Sequence, residues 1–518
     1  MQPDQKLVIF TKPREASRSL AARSLRRLRR IGRKRLGLTL GPLAAVIVFF
    51  TMPDVTSLQE VSDLSLLGGG DRAAALTAAL LIWMGLWWMT EAVPLAVTAV
   101  LPVIVFPALG GIPTGDVTTA YANPVIFLFL GGFALAIAMQ RWQLHRRIAL
   151  TVLRFSGTRP SRLVLGFMVA TALISMWVSN TATAVMMLPI GSSVLATLNA
   201  RRGGSDKKLS AALMLGIAYA ATIGSFGTII ASPPNALLVG YLSATYGISI
   251  SMVQWMAVGV PLTVVFLFIA WVWLAKVLFK TNDEPLADEK SLIADELERL
   301  GPVGRAEKRV MIIFGITAAS WVLLPLVWPD TPLSDEVIAM IAFLALFLLP
   351  SGEERGTRIL SWPYTKELPW GILLLFGGGL ALASQITASG LADWIGSRTQ
   401  AAANLPNLLL LIVVCLITLA LTEFMSNTAA AATLLPIMGG VALSLNASPL
   451  LLTVPVALTA ACTFMMPAAT PPNAIAISSG YVKVPQLFRA GAPLSALTVV
   501  LVPLTVATLG RWALGIDV

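Results

Sequence analysis

Ser179, Asn180 and Thr181 stand in a row inside the apolar stretch "WVSNTATAVMMLPI", and Ser426, Asn427 and Thr428 hold the same place in "FMSNTAAAATLLPI". Each triplet brings two hydroxyls and an amide, all neutral donors and acceptors, into hydrophobic surroundings. Each is followed by a second interruption, Ser232 before Pro233 in "ASPPN" and Thr470 before Pro471 in "ATPPN". Lys and Arg are absent between Arg162 and Arg201, and again between Arg398 and Lys483. A multiply charged anion held by this ring would draw its positive charge from helix N-termini, each worth roughly half a charge, and from bound cations. Hard cations such as Na+ take oxygen ligands, which hydroxyls, Asn side chains and unwound carbonyls provide. A cation that binds first would then create the anion site, and coupling follows from that order. A single triplet would read as polar glue between helices; two, each with a matched proline break, read as a site.

Such groups need elements to carry them, and the composition says which kind. The chain has 518 residues, 56% hydrophobic and 12% charged, with a mean hydropathy of +0.80. Many apolar runs approach or exceed the roughly 18 to 20 residues that cross a bilayer as helix. Alternating strands of about ten residues are missing, so the reading is an all-α polytopic membrane protein. The excess charge of +11 is concentrated in "RSLRRLRRIGRKR", a basic cytoplasmic N-terminal segment (1–36) beside anionic headgroups. Nucleic-acid binding would want aromatic interleaving or a domain motif, and neither is present.

Spans are expected at 37–53, 73–90, 93–110 and 122–142, then an amphipathic interfacial helix at 143–159. Residues 161–200 are too long for one crossing. With Arg154, Arg159 and Arg162 before them and Arg201, Arg202, Lys207 and Lys208 after, both ends belong in the cytoplasm, which makes the segment a re-entrant hairpin with 179–181 at its tip. Non-helical backbone at that depth must lie inside protein or beside water. Residues 209–243 form a helix broken at Pro233 and Pro234, 252–275 a further span, and 276–309 a charged cytoplasmic arm.

The order then repeats: spans at 310–328, 335–350 and 368–387, a second hairpin at 404–446, a second broken helix at 449–482, and a last span near 490–510. The offset is 246 residues for the glycine pair in "FLGGFA" and "LFGGGLA", 247 for the triplets and 238 for the proline breaks. The second hairpin has no basic flank and should open outside, giving an inverted repeat of about 11 transmembrane helices with the site near the midplane.

Other chemistry is thin. Cys415 and Cys462 suit neither a disulfide framework nor a metal site, and His145 sits among arginines at an interface. No triad, zinc site or carboxylate pair can be assembled, and "LFGGGLA" lacks the context of a phosphate loop; an enzyme is not expected. Glu91 and Glu423 are acidic groups near membrane segments, the first read as structural, the second as orienting the hairpin tip or carrying a proton. A proton-coupled antiporter or channel would want a carboxylate at the triplets or breaks, and those have none.

The paired motifs, with "WMTEAVPLAVTAVLPVIVFP", resemble the divalent anion/sodium symporter family from about residue 37 onward. The resemblance implies sodium-coupled symport of dicarboxylates or tricarboxylates such as succinate, malate, fumarate or citrate, with sodium-independent exchange or sulfate carriage as alternatives, and no organic cofactor. It implies a homodimer in the cytoplasmic membrane, N-terminus inside and C-terminus outside, working as an elevator. Scaffold helices would occupy 37–142 and 310–387, and transport elements 143–275 and 388–518. Residue by residue, it places Ser179, Asn180, Thr181, Ser426, Asn427, Thr428, Ser232, Pro233, Thr470 and Pro471 around the anion. One sodium ion would take Ser175, Ser179, Asn180 and Ala231, and a second Thr422, Met425, Asn427 and Ala469.

Overall fold

In the computed structural model, the described residues are 34–53, 72–157, 159–201, 204, 206–281, 289–328, 331–353, 355–398, 405–467 and 469–517. Among them the regular structure is helical throughout, apart from one isolated bridge between Pro350 and Arg358. The basic run at 23–35 lies outside these residues except for Lys34 and Arg35.

The first half runs α1 (Lys34–Thr51), α2 (Ala73–Thr90), α3 (Leu95–Thr98), α4 (Leu101–Gly110), α5 (Thr114–Thr119), α6 (Pro124–Arg141), α7 (Leu144–Arg154), α8 (Pro160–Ser175), α9 (Asn180–Arg201), α10 (Lys207–Gly224), α11 (Pro233–Tyr246) and α12 (Met252–Trp271). After α13 (Glu289–Arg299) come α14 (Arg305–Val327), α15 (Asp335–Leu348), α16 (Trp370–Ala388), α17 (Leu391–Arg398), α18 (Asn407–Thr422), α19 (Asn427–Ser444), α20 (Pro449–Ala460), α21 (Pro471–Ser478), α22 (Val484–Thr505) and α23 (Arg511–Leu514). Among the described residues nine helices are long and apolar enough to cross a membrane, and four shorter apolar stretches of 10–17 residues accompany them. Three of the four short pieces, Pro160–Ser175, Asn407–Thr422 and Pro449–Ala460, end where a triplet or a proline break cuts a longer apolar segment.

The expected span at 93–110 is divided into α3 and α4, and Pro102 falls in the first turn of the latter, where its missing N–H costs nothing. The amphipathic stretch after residue 142 is α7, whose His145 is buried with Nδ1 3.1 Å from the Met139 carbonyl. Burial pushes its imidazole pKa down, as for a packed neutral histidine.

Two glycines allow close helix crossings. A Cβ on Gly131 of α6 would lie 2.4 Å from the Ala339 carbonyl oxygen of α15, and one on Gly378 of α16 would lie 2.2 Å from that of Ala99. These glycines let backbones cross where any side chain would collide. The pair matches at 247 residues, the offset of the triplets, one more than sequence comparison alone suggested.

Candidate functional site

Each half builds its part of the site from two cut helices. In the first, α8 ends at Ser175, the chain turns through 176–179, and α9 starts at Asn180; α10 ends at Gly224, the chain unwinds through 225–232, and α11 starts at Pro233. The second half does the same at α18 and α19, then at α20 and α21. Proline suits the first position of α11 and α21 because its fixed φ is helical and no N–H is lost. The unwound stretches are tied back by the asparagine of each "PPN". Asn235 Nδ2 donates to the carbonyls of Ser225 and Thr228, both at 3.0 Å. Asn473 Nδ2 donates to those of Thr463 and Met466, at 3.3 and 3.2 Å.

The four breaks meet around one cavity of about 430 Å³. Ser179, Asn180, Thr181, Ser232, Pro233, Ser426, Asn427, Thr428, Thr470 and Pro471, the residues expected around an anion, all line it. Its opposite wall comes from Phe133, Ala136, Ile137 and Gln140 of α6, and from Glu367, Pro369 and Ile372 at the start of α16. Sequence reasoning did not include this wall, since nothing in its local pattern distinguishes these residues from other helix ends.

The positive side of the electrostatics comes from helix ends, and Glu367 is the one ionisable side chain among the described lining residues. Residues at the N-termini of α9, α11, α19 and α21 face the same space. The residues preceding α11, α19 and α21, namely Ser232, Ser426 and Thr470, make no side-chain cap, so first-turn N–H groups are left for a ligand. At α9 the Ser179 Oγ accepts from the Ala182 N–H at 3.4 Å; the four N-termini together present roughly two positive charges. Thr470 borders the cavity, and its Oγ1 is buried without a partner among the described residues.

Of the expected sodium ligands, Ser179, Asn180, Asn427 and Ala469 line the cavity, while Ser175, Ala231, Thr422 and Met425 are buried outside its lining. Ser175 Oγ donates to the Ala221 carbonyl at 2.5 Å, and Thr422 Oγ1 to that of Ala460 at 2.9 Å. Thr422 and Thr463 also donate to Asn427 Oδ1, at 3.0 and 3.3 Å. The second half thus gathers hydroxyl, amide and carbonyl oxygens, the donor set a hard monovalent cation takes; in the first half the Ser175 hydroxyl meets the Ala221 carbonyl.

Glu423 is 5% exposed and does not reach the cavity lining. Its carboxylate accepts from the backbone N–H groups of Phe464, Met465 and Met466 at 3.2–3.3 Å, and from Ser495 Oγ at 3.1 Å. It therefore holds the unwound turn before α21, a neighbour of the hairpin tip it follows in sequence. Glu91 caps α2 in the left-handed conformation, φ 50°, away from the cavity.

Residues 66–516 match the family described as the sodium:sulfate symporter transmembrane region. The chain is 39% identical to the sodium-dependent dicarboxylate transporter SdcS of Staphylococcus saprophyticus over 494 residues, covering 93% of this chain and 92% of that protein. It is also 39% identical to SdcS of Staphylococcus aureus strain USA300, with 93% and 92% covered. Among solved structures, the YdaH transporter of Alcanivorax borkumensis superposes with a TM-score of 0.56 at 16% identity, over 93% of this chain and 98% of its own. MtrF of Neisseria gonorrhoeae gives 0.57 at 15%, over 94% and 96%; both bear on the fold alone. The chain belongs to the sodium:sulfate symporter family, and it is a multi-pass membrane protein.

Proposed function

We propose that this chain couples the inward movement of sodium to uptake of dicarboxylates of the succinate, malate and fumarate class; its SdcS relatives are named sodium-dependent dicarboxylate transporters. The observation that carries the reading is the cavity: four helix N-termini and two neutral triplets converge on it, with no Lys or Arg among its described lining residues. Positive ends too diffuse to fix a dianion tightly on their own are completed by sodium. One ion binds Ser175, Ser179, Asn180 and the Ala231 carbonyl; the other binds Thr422, Asn427 and the carbonyls of Met425 and Ala469. The anion then takes the hydroxyls and amides of the two triplets, with Ser232, Thr470 and the helix starts at Pro233 and Pro471.

The helix–turn–helix units α8–α9 and α18–α19 are re-entrant hairpins entering from opposite faces. They move with α10, α11, α20 and α21 as a transport domain against a scaffold of α2 to α6 and α14 to α16, in an elevator motion within a homodimer. The N-terminus lies in the cytoplasm, the C-terminus outside, and the membrane is the cytoplasmic one. The flanking arginines and lysines of the first hairpin, against none for the second, support this orientation.

Uptake of labelled succinate, citrate and sulfate into proteoliposomes under imposed Na+, K+ and proton gradients tests the function. Succinate accumulation driven by Na+ alone is expected. Uptake that needs internal dicarboxylate and ignores the sodium gradient would establish exchange instead.

A further inference from the structure

Glu367 is the one ionisable side chain among the described residues that line the cavity, and its sign is that of the cargo. It ends the 3-10 turn Trp362–Glu367, which leads into α16. That turn and the strand-like segment before it are fastened to the end of α6. Arg141 donates to the Ile359 carbonyl at 3.0 Å, Trp142 Nε1 to the same oxygen at 2.9 Å, and the Arg141 guanidinium lies 4.2 Å from the Tyr364 ring centroid. Trp370 Nε1 closes the turn onto the Thr365 carbonyl at 2.8 Å. Arg141, the cation next after Gln140, is thereby committed to that turn, and Lys366 is not among the lining residues. Glu367 is exposed, and it shares the cavity lining with both triplets.

The geometry points to Glu367 as a specificity-determining residue that weakens dianion binding on one face of the membrane and so promotes release there. This deepens the dicarboxylate reading above and rests on it. Gln140 and Glu367 belong to the face reached by the end of α6 and the start of α16, which the proposed orientation places in the cytoplasm. When the triplets carry the anion to the other face, they leave Glu367 behind on the wall formed with α6. The repulsion is therefore present at one end of the cycle and absent at the other. If the dianion sits roughly 10 Å from this carboxylate in a wet cavity, the repulsion lowers its affinity roughly fivefold, and sodium, of opposite sign, is not driven out with it.

The test uses the full-length protein in right-side-out and inside-out membrane vesicles, with saturating sodium on the side of addition and labelled succinate as probe. The expected result is a roughly fivefold lower apparent KM on the cytoplasmic face for Glu367→Gln, a further drop of similar size for Glu367→Lys, and wild-type behaviour for Glu367→Asp. On the outer face all three variants should keep the wild-type KM within about twofold. KM values that move equally on both faces, stay unchanged, or fail to follow the charge series would overturn the inference while leaving the function intact. Wild-type vesicles without sodium-driven succinate uptake would overturn the functional reading and this one with it.

Discussion

The two unwound turns, 225–232 before α11 and the described residues 461–467 and 469–470 before α21, have the same backbone plan and are held by different chemistry. Both are tied by the asparagine of "PPN", and both are crossed by a glycine: a Cβ on Gly259 would sit 2.2 Å from the Phe226 carbonyl oxygen, and one on Gly491 2.1 Å from that of Phe464. In the first half the remaining ties are neutral. Thr228 Oγ1 donates to the Met176 carbonyl, and Trp255 Nε1 donates to the Phe226 carbonyl at 3.0 Å. In the second half, Glu423 stands where the first has Met176, and its carboxylate gathers three backbone N–H groups and a serine hydroxyl. All four neighbours are donors, and the acceptor oxygens of a carboxyl group satisfy them. The hairpin tips differ in the same sense. Trp177 stacks on Trp321 at 6.2 Å and meets Phe314 edge-on at 5.2 Å, both on α14, whereas Phe424, its counterpart, is 70% exposed. The two turns share a backbone plan, and their supports differ around it.

The largest break in this comparison is expected at Glu423. Replacing it by Gln turns an amide N–H₂ toward backbone donors, and should cost about 3 kcal/mol of stability, read as a lowered unfolding midpoint in detergent. The neutral counterpart Thr228→Val should cost only about 1 kcal/mol; equal losses would mean that the carboxylate carries no special share. Next come the triplets. Asn180→Ala and Asn427→Ala should each lower sodium-driven uptake by about 10- to 100-fold, with the protein still folded. Normal uptake in both would remove the triplets from the site. The shared feature gives the third expectation: Gly259→Ala and Gly491→Ala should destabilise by the same amount, about 2 kcal/mol each, and a large difference would deny the matched crossing. The smallest effects separate the tips. Trp177→Ala should cost about 1.5 kcal/mol through lost aromatic packing, while Phe424→Ala stays within about 0.5 kcal/mol in the same melting assay.

Much of the site was legible because it is written twice. A polar triplet in an apolar run is ambiguous, but two at a 247-residue offset, each with its own proline break, define four helix cuts, and every residue expected around the anion lines the cavity. Asn235 and Asn473 were in view inside the motifs, yet their role as ties appears only when the unwound turn folds back over them. Gln140 and Glu367 carried no local signal: one ends a hydrophobic helix, the other ends a charged loop, and only helix packing sets them against the triplets.

What the sequence determined by itself is therefore local and periodic: apolar runs that must be helical, the places where proline and small polar residues cut them, and the repeat that pairs the cuts. These depend on neighbours along the chain, because backbone hydrogen bonding in helices is local. The tertiary structure decided which helix ends share one cavity, which wall faces them, and that the second turn hangs on a buried carboxylate where the first hangs on a hydroxyl. Those outcomes depend on distances between residues hundreds of positions apart, which packing sets and periodicity does not encode.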